Sequence, residues 1–108
     1  MALAQVFDTA APYALLMDYD SGTVLFEKAA DERFPPASMA KLMTIEYVFR
    51  ALKEGELTED SIFTISEHAW RTGGAPSGGS AMYAEINSSV PLRFLLRGII
   101  VQSGNDAA

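Results

Sequence analysis

The chain has 108 residues, of which 49% are hydrophobic and 10% aromatic, and its net charge is −6. This composition supports a folded domain, or part of one, and its acidic balance disfavours nucleic acid and anionic membrane surfaces as partners. Because there is no cysteine and His68 is the only histidine, disulfides, thiolate zinc sites and His-rich metal sites are excluded.

Residues 1–11 are expected to form an N-terminal tail. Ala2-Leu3-Ala4 has the small-x-small form of a signal-peptidase site, so the tail is either a signal-peptide remnant or ordinary disordered chain. No internal linker interrupts residues 12–108, and these are expected to form a single domain portion.

A β-hairpin is predicted next, from two apolar strands at residues 13–18 and 23–26. Residues 19–22 between them have turn chemistry, and Gly22 is free to adopt a positive φ. Both strands are apolar at nearly every position, so both faces of the hairpin are expected to be covered.

A long apolar helix is predicted over residues 38–52. Pro35 and Pro36 precede it, and Gly55 ends it. Its apolar residues surround most of the helix circumference, which predicts a buried central helix.

The remaining predicted elements are shorter. They are a strand at 61–65, a helix at 66–70 capped by Ser66, a glycine-rich loop at 72–80, a strand contact within 81–86, and an apolar helix at 92–101 that Pro91 opens. Ser103-Gly104-Asn105 follows and breaks this last helix.

Ser38 and Lys41 are the first candidates for catalysis. Residues i and i+3 lie on one face of a helix, so the lysine amine can reach the serine hydroxyl. A neutral amine, which burial among apolar residues favours, can take the serine proton. The helix N-terminus would stabilise an oxyanion formed there. The alternative is that Ser38 only caps the helix while Lys41 extends into solvent.

Ser103 and Asn105 form a second candidate pair in the predicted break. The hydroxyl can relay a proton to a leaving group, and the amide can bind a substrate backbone and hold the lysine. The alternative is an ordinary helix end with Gly104 as its cap. Either motif alone is weak.

Together with their flanking sequences, the two motifs resemble the D-alanyl-D-alanine carboxypeptidases, which are low-molecular-mass penicillin-binding proteins. The resemblance covers residues 12–108. It runs through the hairpin, Arg33 to Thr44 around the tetrad Ser38-Met39-Ala40-Lys41, Ala69 to Gly74, and Leu95 to Ala108.

This resemblance implies roles for the four residues. Ser38 would be the acylated nucleophile, Lys41 its general base, and Ser103 and Asn105 the second catalytic element, with Asn105 also binding substrate. The Ser38 backbone N–H would form half of an oxyanion hole. Gly104 favours a carboxypeptidase over class A β-lactamases, and the segment 70–82 resembles a loop near the active-site rim.

The fold implied is the mixed α/β (α+β) transpeptidase fold of β-lactamases and DD-peptidases, in an incomplete form. The sequence contains no Lys-Thr-Gly, and the family's later sheet strands have no counterpart. Residues 12–108 are therefore expected to be the N-terminal portion of a catalytic domain. The 108 residues by themselves are expected to show little or no turnover.

The implied substrates are the pentapeptides of peptidoglycan, with β-lactams as acylating inhibitors. No cofactor, metal or nucleic acid is expected. The expected location is the periplasm at the outer face of the cytoplasmic membrane, with anchoring only through a C-terminal part. Three alternatives stay open: a β-lactamase, a non-catalytic fragment, and a fragment that self-associates or pairs with the missing C-terminal half.

Overall fold

The computed structural model describes residues 7–108, and the chain divides into two compact units, one ending at Pro35 and one from Pro36 to Ala108. The candidate signal-peptidase motif Ala2-Leu3-Ala4 lies outside the described residues. Both strands and helices are present, as expected for the mixed class. Within residues 7–108, no helix combines the length and hydropathy that a bilayer span requires.

The first unit contains the predicted hairpin. Strand β1 (Ala14–Met17) pairs antiparallel with β2 (Val24–Lys28), and Gly22 in the turn has the expected positive φ, 71°. Leu15 and Leu25 are mostly exposed, so the expected burial of both faces is wrong for the described residues. Two strands offer too few neighbours to cover both faces of a hairpin.

The second unit begins with a 3₁₀ turn, Ala37–Ala40, that leads directly into helix α1 (Lys41–Lys53). The helix ends at Glu54, and Gly55 follows with a φ of 79°. Ala51 is its one buried residue, whereas Met43 is 73% exposed. The expectation of a buried central helix is therefore wrong for the described residues, because they pack against one side of α1 alone.

The core of this unit is built on helix α3 (Leu92–Gln102). Its buried residues Leu92, Leu95, Leu96 and Ile99 recur with the spacing of one helix face. Ala51, Ile65 and Ala81 complete the buried apolar set. The core thus lies between α3, the C-terminal part of α1, and the segments that carry Ile65 and Ala81.

Two strands and a short helix frame this core. Strand β3 (Ile62–Thr64) pairs antiparallel with β4 (Ser89–Pro91). Helix α2 (Glu67–Gly73) starts as predicted, with the Ala69 N–H donating to the Ser66 hydroxyl at 3.0 Å.

The strand contact expected within residues 81–86 is wrong. This segment is irregular, and Tyr83 within it has a φ of 60°, which is incompatible with a strand. The N–H groups of Met82 and Ala84 donate to the Asp106 carboxylate and are therefore not available to a sheet.

Candidate active site

The nucleophile candidate lies on the 3₁₀ turn, one residue after a strained backbone position. Ala37 has a φ of 50°, a left-handed conformation that costs a residue with a side chain about 1–2 kcal/mol. Such strain persists where surrounding structure enforces it, often near functional groups. The turn places the exposed Ser38 one turn ahead of Lys41, the first residue of α1.

The Lys41 amine makes three hydrogen bonds. It contacts the Ser103 carbonyl oxygen at 2.6 Å, the Ser103 hydroxyl at 3.0 Å and the Ser38 hydroxyl at 3.3 Å. These contacts use all three directions in which an ammonium group can donate. When the amine is neutral, its lone pair can instead accept a proton from a hydroxyl in the same position. Lys41 therefore links the two serines.

The geometry differs from the alternative in which Ser38 caps the helix and Lys41 extends into solvent. Ala40 is the N-cap of α1 and no side chain caps either the 3₁₀ turn or the helix. Ser38 is thus not a capping residue. The Lys41 amine is partly buried against Ser103 and does not extend into solvent.

Ser103 is presented by the end of α3. It takes a left-handed conformation with a φ of 53°, and the Gly104 N–H donates to the Gly98 carbonyl at 3.0 Å. A Cβ on Gly104 would lie 3.0 Å from the Met82 backbone nitrogen and 3.1 Å from Asp106 Oδ1. The glycine in the triplet is therefore required by close packing of the turn.

Asn105 is in the same turn and lies against Gly79 and Ser80. Its backbone N–H donates to the Ser80 carbonyl at 2.8 Å, and its exposed side-chain amide lies close to Gly79. Among the hydrogen bonds of residues 7–108, none joins Asn105 to Lys41. Ser103, rather than Asn105, holds the lysine in this structure.

An open groove of about 380 Å³ runs past these groups. Its polar members are Ser38, Lys41 and Ser103, and its apolar wall is formed by Leu42, Ile45, Ile99 and Ile100. A larger cleft of about 510 Å³ lies along Glu46, Phe49 and Arg50, but no serine or other nucleophile lines it. The candidate catalytic residues therefore lie in the smaller of the two cavities. No cluster of three or more possible metal ligands occurs in the described part of the chain.

Two features of the site were not predicted. Asp106 is 4% exposed, and its carboxylate binds the backbone of Met82 and Ala84. Gly73 packs so closely on this turn that a Cβ there would lie 2.6 Å from the Asn105 carbonyl carbon. The signals available in the sequence were an acidic residue directly after the triplet and the Gly73-Gly74 pair ending a short helix.

Comparison with known proteins identifies the family. The family model of D-alanyl-D-alanine carboxypeptidase, peptidase family S11, matches residues 1–108. The chain is 45% identical over 94 residues to D-alanyl-D-alanine carboxypeptidase DacA of Escherichia coli strain K12, an alignment covering 86% of this chain and 23% of that protein. It is 38% identical over 98 residues to DacF of Bacillus subtilis strain 168, covering 91% of this chain and 24% of that protein.

The fold agrees with this assignment. The crystal structure of penicillin binding protein 5 from Haemophilus influenzae matches with a TM-score of 0.86 and 39% identity, over 96% of this chain and 30% of that one. The expected DD-peptidase fold is thereby confirmed. The chain spans about a quarter of the length of the curated relatives named here. By its sequence and its fold, the chain belongs to the D-alanyl-D-alanine carboxypeptidase family of serine peptidases.

Proposed function

We propose that the chain supplies the nucleophile part of a serine D-alanyl-D-alanine carboxypeptidase that acts on peptidoglycan stem peptides. The observation that carries this proposal is the Lys41 amine, which contacts the hydroxyls of both Ser38 and Ser103. A base within hydrogen-bond reach of a serine, itself oriented by a third group, is the arrangement that activates a hydroxyl for acyl transfer.

In the acylation step, Ser38 Oγ attacks the carbonyl carbon of the penultimate D-alanine and its proton passes to the neutral amine of Lys41. The carbonyl oxygen becomes an oxyanion, which the Ser38 backbone N–H in the 3₁₀ turn before α1 helps to stabilise. The peptide C–N bond then breaks. Ser103 Oγ gives its proton to the departing D-alanine amine and takes one from Lys41 in return.

In the second step, water attacks the Ser38 ester and gives a proton to the neutral amine of Lys41. The ester C–O bond then breaks, and Lys41 passes that proton to the departing Ser38 Oγ, which restores both groups. The same acylation by a β-lactam opens the lactam ring and leaves the drug attached to Ser38. The exposed amide of Asn105 is suited to bind the substrate backbone, because it makes no hydrogen bond within residues 7–108 and its donors and acceptor are available to a ligand.

The substrate determines where such an enzyme acts. Peptidoglycan lies outside the cytoplasmic membrane, so we place the activity in the periplasm at the outer face of that membrane, in cell-wall and cell-shape metabolism. The names of the relatives support this proposal, since DacA and DacF are D-alanyl-D-alanine carboxypeptidases.

A second candidate function is that these 108 residues act only in association with another polypeptide. The exposed Leu42, Met43 and Val101 favour it, because apolar side chains at this density usually mark a surface that another segment covers. The associating segment would be a C-terminal half or a second copy. Sedimentation of the purified 108 residues as a monomer at micromolar concentration would argue against the second copy.

The enzymatic proposal is tested with a fluorescent penicillin and mass spectrometry of the labelled peptide. The complete protein that carries this chain should be acylated at Ser38, and Ser38→Ala should abolish labelling while the protein stays folded. The 108 residues alone should show little or no release of D-alanine. A complete protein that stays unlabelled under conditions that label the Escherichia coli relative would refute the proposal. A β-lactamase, in contrast, would release the penicilloyl group within seconds.

A further inference from the structure

Asp106 has the one charged side chain that is buried among the described residues. Its Oδ1 accepts a hydrogen bond from the Met82 N–H at 2.9 Å, and its Oδ2 accepts one from the Ala84 N–H at 3.0 Å. A buried carboxylate is costly unless donors surround it, and backbone N–H groups are strong partners for the ionised form. Asp106 therefore joins two segments that are 22 residues or more apart.

The partner segment is itself in an unusual conformation. Tyr83, between the two donating residues, has a φ of 60° and is 69% exposed. Two N–H groups on either side of a left-handed residue converge on one point and form a concavity that binds anions. The Asp106 carboxylate is the anion here, and its hydrogen bonds offset the strain at Tyr83.

The same turn carries Ser103. Between Ser103 and Asp106 the chain is tied down by the Gly104 N–H, which donates to Gly98, and by the Asn105 N–H, which donates to Ser80. The Asp106 carboxylate accepts two further hydrogen bonds, from Met82 and Ala84. Segment 80–84 therefore supports the turn, and two of the three hydrogen bonds that join the turn to this segment end on the Asp106 carboxylate.

We infer that Asp106 is a positioning residue for the reaction. By fixing the turn against segment 80–84, it keeps the carbonyl and the hydroxyl of Ser103 at 2.6 and 3.0 Å from the Lys41 amine. Within residues 7–108, Asp106 makes no hydrogen bond to Ser38 or Lys41. This inference rests on the proposed function, since it assigns Asp106 a role in that reaction.

The decisive variant is Asp106→Asn in the complete protein, which keeps the shape of the side chain and points an NH₂ group at one of the two backbone donors. Single-turnover acylation by a fluorescent penicillin separates the affinity of the first complex, the first-order acylation rate constant and the amplitude. We expect the rate constant to fall at least about tenfold, because small displacements of catalytic groups have effects of that size. The affinity should change less than about threefold, since Asp106 does not line the groove.

Glu85→Gln is the matched control. It removes one negative charge next to Ala84, from a side chain that is exposed and makes no hydrogen bond within the described residues. Its rate constant should stay within about twofold of the unchanged protein. Gly73→Ala should displace the turn without changing Asp106, since its Cβ would meet the Asn105 carbonyl carbon, and it should reproduce the loss seen with Asp106→Asn.

The outcomes are distinguishable. A merely structural role lowers the amplitude at an unchanged rate constant, because only the folded fraction reacts, and that result overturns the inference. An Asp106→Asn rate constant within twofold of the original also overturns it but leaves the proposed function intact. If the unchanged protein is not acylated, the proposed function itself fails.

Hydrogen exchange on the unchanged protein decides the case in which Asp106→Asn does not fold. The amides of Met82 and Ala84 should be protected to the same degree as those in the middle of α3. Exchange of both at the unprotected rate would show that the Asp106 contacts do not hold the turn, and the inference would fall.

Discussion

Ser38 and Ser103 both bind Lys41, but we expect their substitution to have different consequences. Ser103→Ala should lower the free energy of unfolding more than Ser38→Ala, whereas Ser38→Ala should reduce acylation more than Ser103→Ala. Ser103→Ala deletes a hydrogen bond of 3.0 Å at a half-buried position and retains the carbonyl bond at 2.6 Å. One such bond contributes about 1 kcal/mol to the free energy of unfolding. Ser38→Ala deletes a contact of 3.3 Å from an exposed hydroxyl, for which we expect less than about 0.5 kcal/mol.

Acylation should show the reverse order. Ser38→Ala removes the hydroxyl that we propose as the nucleophile, so no penicillin label should attach. Ser103→Ala leaves the nucleophile and its base in place and removes a proton relay, for which a reduction of about 10²–10⁴-fold is expected. The less destabilising substitution is therefore the more damaging one for chemistry.

Ser103→Gly separates the hydrogen bond from the backbone strain. Glycine accepts the φ of 53° at this position without the cost of about 1–2 kcal/mol that a side chain brings. Ser103→Gly should thus be close to neutral in stability while it loses the same catalytic relay as Ser103→Ala.

Urea unfolding of the 108 residues gives the stabilities, and labelling of the complete protein gives the rates. Equal free energies of unfolding for Ser103→Ala and Ser38→Ala, within about 0.3 kcal/mol, would contradict the packing described here. So would a Ser103→Ala protein that is acylated at the original rate.

Two further predictions concern a glycine and a carboxylate. Gly104→Ala should lower the free energy of unfolding by about 1–3 kcal/mol, because its Cβ would press on the Met82 nitrogen and two other atoms. Gly79→Ala is the control, because its Cβ would meet side-chain atoms and no backbone within 4 Å. Equal urea midpoints for the two variants would contradict the close packing described for Gly104. Hydrogen bonds from the Ser21 hydroxyl and then its backbone N–H hold the pKa of Asp18 below its ordinary value. This contribution to stability is present above the ordinary pKa of a carboxylate and is lost as the pH falls through the lowered value. Ser21→Ala should raise the pKa of Asp18 in a carboxyl ¹³C titration, and superimposable titration curves would refute this cause.

Much of the local structure could be predicted from residue types. Gly22 at the hairpin turn, Ser66 at the start of α2 and the helix break at Ser103 all follow from short-range rules of conformation and capping. These rules act within a few residues, so the rest of the fold does not alter them.

Burial was predicted less well. The apolar residues of α1 indicate a helix surrounded by protein, but the described residues cover one side of it. The irregular segment at 81–86 was also missed, because its conformation depends on Asp106, which is distant in sequence. Hydrophobic pattern shows that a surface is apolar and does not show which neighbour covers it.

The sequence by itself determined that Ser38 and Lys41 meet, since residues three apart lie one turn apart in a helix, and the observed 3₁₀ turn keeps that spacing. It also indicated the break that exposes Ser103. Only the tertiary structure decided that Lys41 is held by Ser103, 62 residues later, that Asn105 lies against Gly79 and Ser80, and that Asp106 is buried. These contacts depend on how the end of α3 packs against α1 and segment 80–84, and that packing is set by the shared core rather than by any local run of residues.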